Sequence, residues 1–434
     1  MTAHKKDADW IRDQILAHHD WFSKSLPMIA SENLISPMAR EMLTCDFHDR
    51  YAEGLPGERY YQGLTYVDEV ELKVQALARK LFKCEYADVR PTSGTTANLA
   101  VFFALGKPGE VMTSVDVPHG AHISSAKFGA AGVRGLTTKC YPYKIEDWNI
   151  DVDATIKFLK QEKPKFCYFG QSVFLFPTPL KDLMPTFQEI GCPVVYDAAH
   201  VLGLIAGGQF QDPLREGANI MNGSTHKTLP GPQHGIILSN PKDEKFKRKL
   251  IYGVFPGVLS NHHLHAMASL GISIAEFLDF GEAYAKQVIK NAQKLGQAMH
   301  ERGFKVMCSH LGFTKSHTIA VDVKEWGGGK KTVEDLEKAN VITNKNLMPW
   351  DDVNAAQDPS GVRLGTQELT RLGMKESEMV EVAEIFKHLA IDKKPIEKVK
   401  AEVIELRKNF NYIQYCYNTD IPAYQYHNIV PLKR

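Results

Sequence analysis

An α/β fold with a mainly parallel sheet covered on both faces is predicted by two patterns in the sequence. Short apolar runs at residues 166–169, 193–196 and 235–239 have the length of buried strands, and helical segments such as 182–190 separate them. The chain of 434 residues also exceeds the roughly 250–300 at which a single core stops growing, so a second domain is expected. We divide it into an N-terminal arm (1–50), a large domain (51–270) and a small C-terminal domain (271–434). With 44% hydrophobic residues, disorder is excluded as the dominant state. Lys plus Arg number 52 against 51 for Asp plus Glu, and this balance supplies no global field for nucleic acid or an anionic membrane. Apolar stretches such as 97–106 reach about half of the roughly 20 residues that cross a bilayer, and residues 1–21 lack the apolar core of a signal peptide. The seven cysteines are dispersed, without a CxxC, which argues against a disulfide framework or a structural zinc site. The expectation is a soluble, cytoplasmic protein.

Taken in order, Trp10, Ile11, Ile15, Leu16 and Trp21 recur at helical spacing among charges, as in an arm packed on another surface. Residues 51–63, YAEGLPGERYYQG, hold three glycines and a proline and read as a loop. Val70, Leu72, Val74, Leu77, Leu81 and Phe82 predict a helix over 68–83, and another helical run starts at Ala97. Residues 219–222 predict a further buried strand. The run 265–302 predicts a long helix leading into the second domain, where a strand at 317–323, a glycine-rich surface turn at 327–329 and helices to the end are expected. The tail 412–434, with five tyrosines and Cys416, either closes the second domain or packs on its surface.

The chemistry concentrates at strand ends. GSTHKT (223–228) puts His226 and Lys227 just after a strand, and VVYDAAH ends another strand on Asp197, with His200 three residues on. In an open α/β sheet the carboxyl ends of strands line the ligand crevice, so Asp197 and Lys227 can share one site. A buried carboxylate needs a facing cation, and a pyridinium nitrogen is one. A lysine amine can condense with an aldehyde, so the pair suggests pyridoxal phosphate. PTSGTTAN (91–98) supplies Ser93, Gly94, Thr95 and Thr96 at a helix start, where exposed backbone N–H groups can cup a phosphate. PHGAHIS (118–124) offers His119 or His122 as a flat ring to stack on the cofactor. For a substrate carboxylate, GVRLGTQELTR offers the planar donors Arg363 and Arg371. SNHHLH (260–265) has no carboxylate or cysteine at ligand spacing, so no metal site is expected there.

These strings, together with IASENLIS and VVYDAAHVLGLIAG, resemble those of serine hydroxymethyltransferases. That family has the fold type I, aspartate-aminotransferase-like architecture of pyridoxal-phosphate enzymes, with a seven-stranded-type sheet in the large domain, and the likeness runs over about residues 29–373. The resemblance implies a homodimer, or a tetramer built from it, with active sites shared across the interface. It makes Lys227 the Schiff-base lysine, Asp197 the partner of the ring nitrogen and His122 the stacking ring. Ser172 and His200 fall near the ring hydroxyl, and Ser93, Gly94 and Thr95 form the phosphate cup. Gly257 lies in the string that touches the partner's phosphate. Arg363 and Ser31 match the anchors of the substrate carboxylate. Tyr51, Glu53 and Tyr61 match groups given across the interface, with Glu53 moving protons, and Asn346 falls where the family contacts the pterin.

The implied reaction splits L-serine into glycine and a one-carbon unit taken up by tetrahydrofolate or tetrahydromethanopterin. Two departures bear on that choice. LPGPQHG replaces a bacterial LRGPRGG, so Pro230 and Gln233 stand where two arginines are common, and FPGVLSNHHLH replaces a glycine-rich string. Both resemble the archaeal branch, and the PGPQ string is shared with threonine transaldolases. A pterin-independent threonine aldolase or transaldolase is therefore the alternative reading, against which Glu53 and the NKN string around Asn346 are retained.

Overall fold

The computed structural model describes residues 4–430. Seven strands form the central sheet in the order Tyr86–Asp88, Gly235–Ser239, Ile220–Ser224, Val194–Asp197, Phe166–Gly170, Val111–Ser114 and Thr137–Cys140. Gly235–Ser239 runs antiparallel to both neighbours, and the other four pairings are parallel. Every residue of Phe166–Gly170, Val194–Asp197, Ile220–Ser224 and Gly235–Ser239 is buried, as continuous apolar runs demand of a sheet covered on both faces.

One helix, Leu264–Glu301, joins the two hydrophobic cores. Its 38 residues span about 57 Å. Met267, Leu270, Ile274, Phe277, Tyr284 and Val288 pack into the core under the large sheet. Leu295, Ala298 and Met299 pack into the second core. The division expected at 270/271 thus falls inside a continuous helix. The N-terminal residues also cross the expected division, because Leu26–Pro27 pairs with Val341–Ile342, and Leu26 and Met28 lie in the second core.

That second core carries a four-stranded antiparallel sheet in the order Lys305–Val306, Thr318–Asp322, Gly361–Gly365 and Asn344–Asn346. This corrects the expectation of one strand followed by helices. Two of the strands are two or three residues long, too short to show a period, and GVRLG is flanked by glycines. The glycine-rich turn is corrected as well: it is shorter than expected, with Gly327 and Gly328 turning the chain at φ +100° and +83°, and Gly328–Lys338 is a helix. Gly329 is glycine for closeness, since a Cβ there would lie 2.7 Å from the Gly361 carbonyl oxygen. After Arg407 no helix follows among the described residues. Instead the tail is strapped down: Arg371 donates to the Gln414 and Tyr415 carbonyls, Tyr417 Oη to Asp279, and Tyr424 Oη to Glu368. No helix among the described residues is long and apolar enough to cross a membrane.

Candidate active site

Parallel strands deliver the functional groups to one cavity of about 380 Å3 at their carboxyl ends. Ser31, Ser93, Gly94, Thr95, His122, Ser172, Asp197, His200, Lys227 and Arg363 all line it. Asp197 ends its strand and is fixed by three donors: Asn98 Nδ2 (2.8 Å) and Tyr168 Oη (2.6 Å) to Oδ2, and the Ala199 N–H (2.8 Å) to Oδ1. The neighbouring strand must end in glycine, because a Cβ on Gly170 would lie 2.6 Å from Asp197 Cβ.

Lys227 follows the next strand, with its carbonyl held by Asn33 Nδ2 (2.6 Å). Burial pushes its amine down to about 8, Asp197 opposes that shift and Arg363 adds to it. At neutral pH an appreciable fraction is therefore the neutral nucleophile. Arg363 is likewise lowered by burial, to about 10, and stays charged. It donates through Nη1 to the Ser172 carbonyl (2.8 Å) and through Nε to Asn344 Oδ1 (3.2 Å). Among the described residues this leaves Nη2 for a ligand.

His122 is held by a chain of donors that sets its tautomer. Asn98 Nδ2 donates to Ser124 Oγ (3.0 Å), and Ser124 Oγ lies 2.8 Å from His122 Nδ1, which also accepts from the Ser124 N–H. The proton of the neutral ring therefore sits on Nε2. Burial lowers the pKa of His122, with Lys227 and Arg363 adding to the effect and Asp197 opposing it, so the ring is an uncharged plate at neutral pH. His200 is also lowered well below its usual range, by burial first and then by Lys227 and Arg363. Its Nδ1 faces His317 Nε2 at 3.4 Å, and that nitrogen must carry a proton because it meets the Ala30 carbonyl at 3.1 Å.

The anion cup is the start of the helix Gly94–Leu105, capped by Ser93 Oγ on the Thr96 N–H (3.0 Å). Against it stands Ser224, whose hydroxyl is buried and, among the described residues, without a hydrogen-bond partner. The same is true of His226 Nδ1. Orphaned polar atoms beside a helix N-terminus, a near-neutral lysine and a fixed carboxylate fit a phosphorylated pyridine aldehyde.

Five expected residues do not line this cavity. Tyr51 and Tyr61 are exposed, with rings 4.9 Å apart, and Tyr51 Oη meets Ser260 Oγ at 3.1 Å. Glu53 is partly buried on the same loop, which Arg59 pins by donating to the Ala52 and Gly54 carbonyls, Asp68 and Glu71. Gly257 sits on the turn after the helix Glu244–Val254, its N–H on the Tyr252 carbonyl. Asn346 donates to the Leu347 carbonyl, and it is Asn344 that reaches Arg363. Two alternatives are also settled. Arg371 is buried against the Leu34, Gln414 and Tyr415 carbonyls, away from the cavity. His119 stacks on Tyr143 at 4.4 Å rather than facing the site. His262 of the histidine cluster lies 3.2 Å from Glu71. Sequence reasoning missed Asn98, Tyr168, Ser224 and Gln171. Asn98 had a signal, as the lone amide in the otherwise apolar run ANLAVFFAL.

Fold and site define a fold type I pyridoxal-phosphate enzyme, in which Lys227, Asp197 and the Ser93–Thr95 cup are placed to hold the cofactor. The chain belongs to the serine hydroxymethyltransferase family, whose model matches residues 5–386. The serine hydroxymethyltransferase of Picrophilus torridus is 56% identical over 417 residues, spanning 96% of each chain. That of Methanocaldococcus jannaschii is 53% identical over 413 residues, 94% of this chain and 96% of the relative. Among solved structures, an L-threonine transaldolase from Pseudomonas fluorescens superposes with a TM-score of 0.87 at 27% identity, covering 96% of each chain.

Proposed function

We propose that this protein transfers the hydroxymethyl group of L-serine reversibly to a tetrahydropterin, giving glycine and the methylene pterin, as a cytoplasmic homodimer. The observation that carries the reading is the single cavity in which Lys227, Asp197, His122, Arg363 and Ser31 meet. When bound, pyridoxal phosphate supplies a conjugated ring that accepts the electron pair of a broken Cα bond. Lys227, poised near 8, would hold the group through its amine and is placed to take up or give a proton there. Asp197, fixed by three donors, keeps the proton on the ring nitrogen. The neutral His122 ring offers a flat face, and Ser172 and His200, which line the same cavity, are assigned to the ring hydroxyl. Arg363 and Ser31 orient the serine carboxylate, which selects the bond that breaks.

Tyr51, Glu53 and Tyr61 then act from the partner copy, with Glu53 moving the protons of the hydroxymethyl group. The exposure of Tyr51 and Tyr61, and the place of all three residues on a pinned loop outside this chain's own cavity, support that arrangement. Gly257 is assigned to the partner's phosphate and Asn346 to the pterin.

The deciding experiment is serine cleavage measured in parallel with tetrahydrofolate and tetrahydromethanopterin. Stimulation by one of them supports the transferase and names the carrier. Cleavage of β-hydroxy amino acids that ignores both supports the aldolase or transaldolase reading, to which the likeness to the transaldolase structure lends its weight. Glu53→Gln is expected to lower pterin-dependent serine cleavage by about 10²-fold or more, and to lower pterin-free cleavage of a bulky β-hydroxy amino acid less. Equal losses in the two assays would remove Glu53 from its assigned role.

A further inference from the structure

Two thiols meet below the active site, where the reaction makes no use of them. Cys167 is the second residue of the strand Phe166–Gly170, and Cys192 lies just before the neighbouring strand Val194–Asp197. Their sulfur atoms are 3.3 Å apart. Strand pairing fixes this contact: Cys167 donates its N–H to the Pro193 carbonyl (2.8 Å) and aligns with Val194. A disulfide bond needs the sulfurs only about 1.3 Å closer. The surroundings of Cys167 are unlike those of an inert core thiol. Burial pushes its pKa up, but the Cys192 thiol and the hydroxyls of Thr113 and Tyr141 face the sulfur and outweigh that, holding it below the usual range. Cys192 is the protonated member, raised by its hydrogen bond to Cys167 and by burial. It is also the one with an opening to solvent, at 7% exposure against 0% for Cys167.

We propose that Cys167 and Cys192 form an oxidation site that closes reversibly into a disulfide, stapling together the two strands whose far ends lead to Ser172 and carry Asp197. With hydrogen peroxide as the oxidant, the Cys167 thiolate attacks one oxygen; an S–O bond forms, the O–O bond breaks and the departing hydroxide takes up a proton as water, giving a sulfenic acid. The Cys192 thiol then attacks that sulfur; the S–S bond forms, the S–O bond breaks, and the departing hydroxide takes the Cys192 proton as a second water. Two thiols and one peroxide become one disulfide and two waters. A dithiol reductant reverses the change by thiol exchange. Because the staple sits at the amino ends of the strands, the cavity at their carboxyl ends keeps its shape.

The test treats the purified holoenzyme with hydrogen peroxide, alkylates the remaining thiols, and maps peptides without reduction. The expected result is a peptide pair joined through Cys167 and Cys192 and lost on treatment with dithiothreitol. A rise in Tm of a few degrees should accompany it, because the closed loop restrains the unfolded chain. Cys192→Ser should show neither the joined pair nor the rise. Recovery of Cys167 in alkylated form after oxidation, or the same rise in Tm for Cys192→Ser, would overturn the proposal. The peptide map of the unsubstituted protein decides the matter even if the variant folds poorly.

Discussion

Lys227→Ala is expected to lower serine cleavage by at least about 10³-fold, the scale of losing a catalytic nucleophile or base, while leaving the protein folded. Activity falls because no other amine lines the cavity among the described residues. Folding survives because Lys227 contributes little to it. Its ammonium is buried beside the Arg363 guanidinium, and burial is the largest influence on it. Removing that desolvated cation should keep Tm or raise it. A second readout does not depend on turnover. An amine lowered to about 8 is about one-tenth neutral at pH 7, against about 10⁻³·⁵ for an ordinary lysine, so far more of it is in the nucleophilic form at that pH. The rate at which cofactor-free enzyme takes up pyridoxal phosphate should therefore rise with pH and level off above about 8. A rate still climbing steeply at pH 10 would mean an unperturbed lysine, and uptake by Lys227→Ala with the same lysine-bound absorption would move the site elsewhere.

How far the sequence exposed this site depends on where its residues sit. Lys227, Asp197 and the Ser93–Thr95 cup lie at the ends of continuous apolar strands or the start of a helix, so the alternation of elements alone placed them on one edge of the sheet. The long helix Leu264–Glu301 was equally plain, since its apolar period is sustained over ten turns. What stayed hidden depends on contacts between distant segments. Tyr168 looks like any core aromatic until its hydroxyl is seen on Asp197. His317 looks like the first residue of a strand until it meets both His200 and the Ala30 carbonyl, 287 residues away in sequence. The small sheet escaped because Lys305–Val306 and Asn344–Asn346 are too short for a period to show. Choosing Arg363 over Arg371 likewise required the fold: the strand aims one at the cavity, and the following helix turns the other onto the tail.

Asp197→Asn is expected to lower activity by about 10²–10³-fold, the cost of removing one preorganised electrostatic partner, and, unlike the lysine substitution, to lower Tm as well. The carboxylate accepts from Asn98 Nδ2, Tyr168 Oη and the Ala199 N–H, and it can do so because both its oxygens are acceptors. An amide has one acceptor oxygen and two donor hydrogens. If its oxygen stays with Asn98 and Tyr168, its NH2 faces the Ala199 N–H; if it flips, its NH2 faces the other two donors. Asn98 cannot simply turn over to relieve the clash, because its own oxygen accepts from Asn222 Nδ2 (2.6 Å). Each buried donor left without an acceptor costs about 1–3 kcal/mol, so the cofactor-free variant should melt several degrees lower. The same disturbance reaches His122, since Asn98 also donates to the Ser124 hydroxyl that faces its ring. Adding Tyr168→Phe to Asp197→Asn still leaves one N–H donor unpaired in either orientation of the amide: that of Ala199 if the oxygen stays with Asn98, or that of Asn98 if the amide flips. The double variant should therefore recover neither Tm nor activity. Recovery of Tm, or a single variant with unchanged Tm, would contradict the donor count, and activity retained by Asp197→Asn would remove Asp197 from the ring nitrogen.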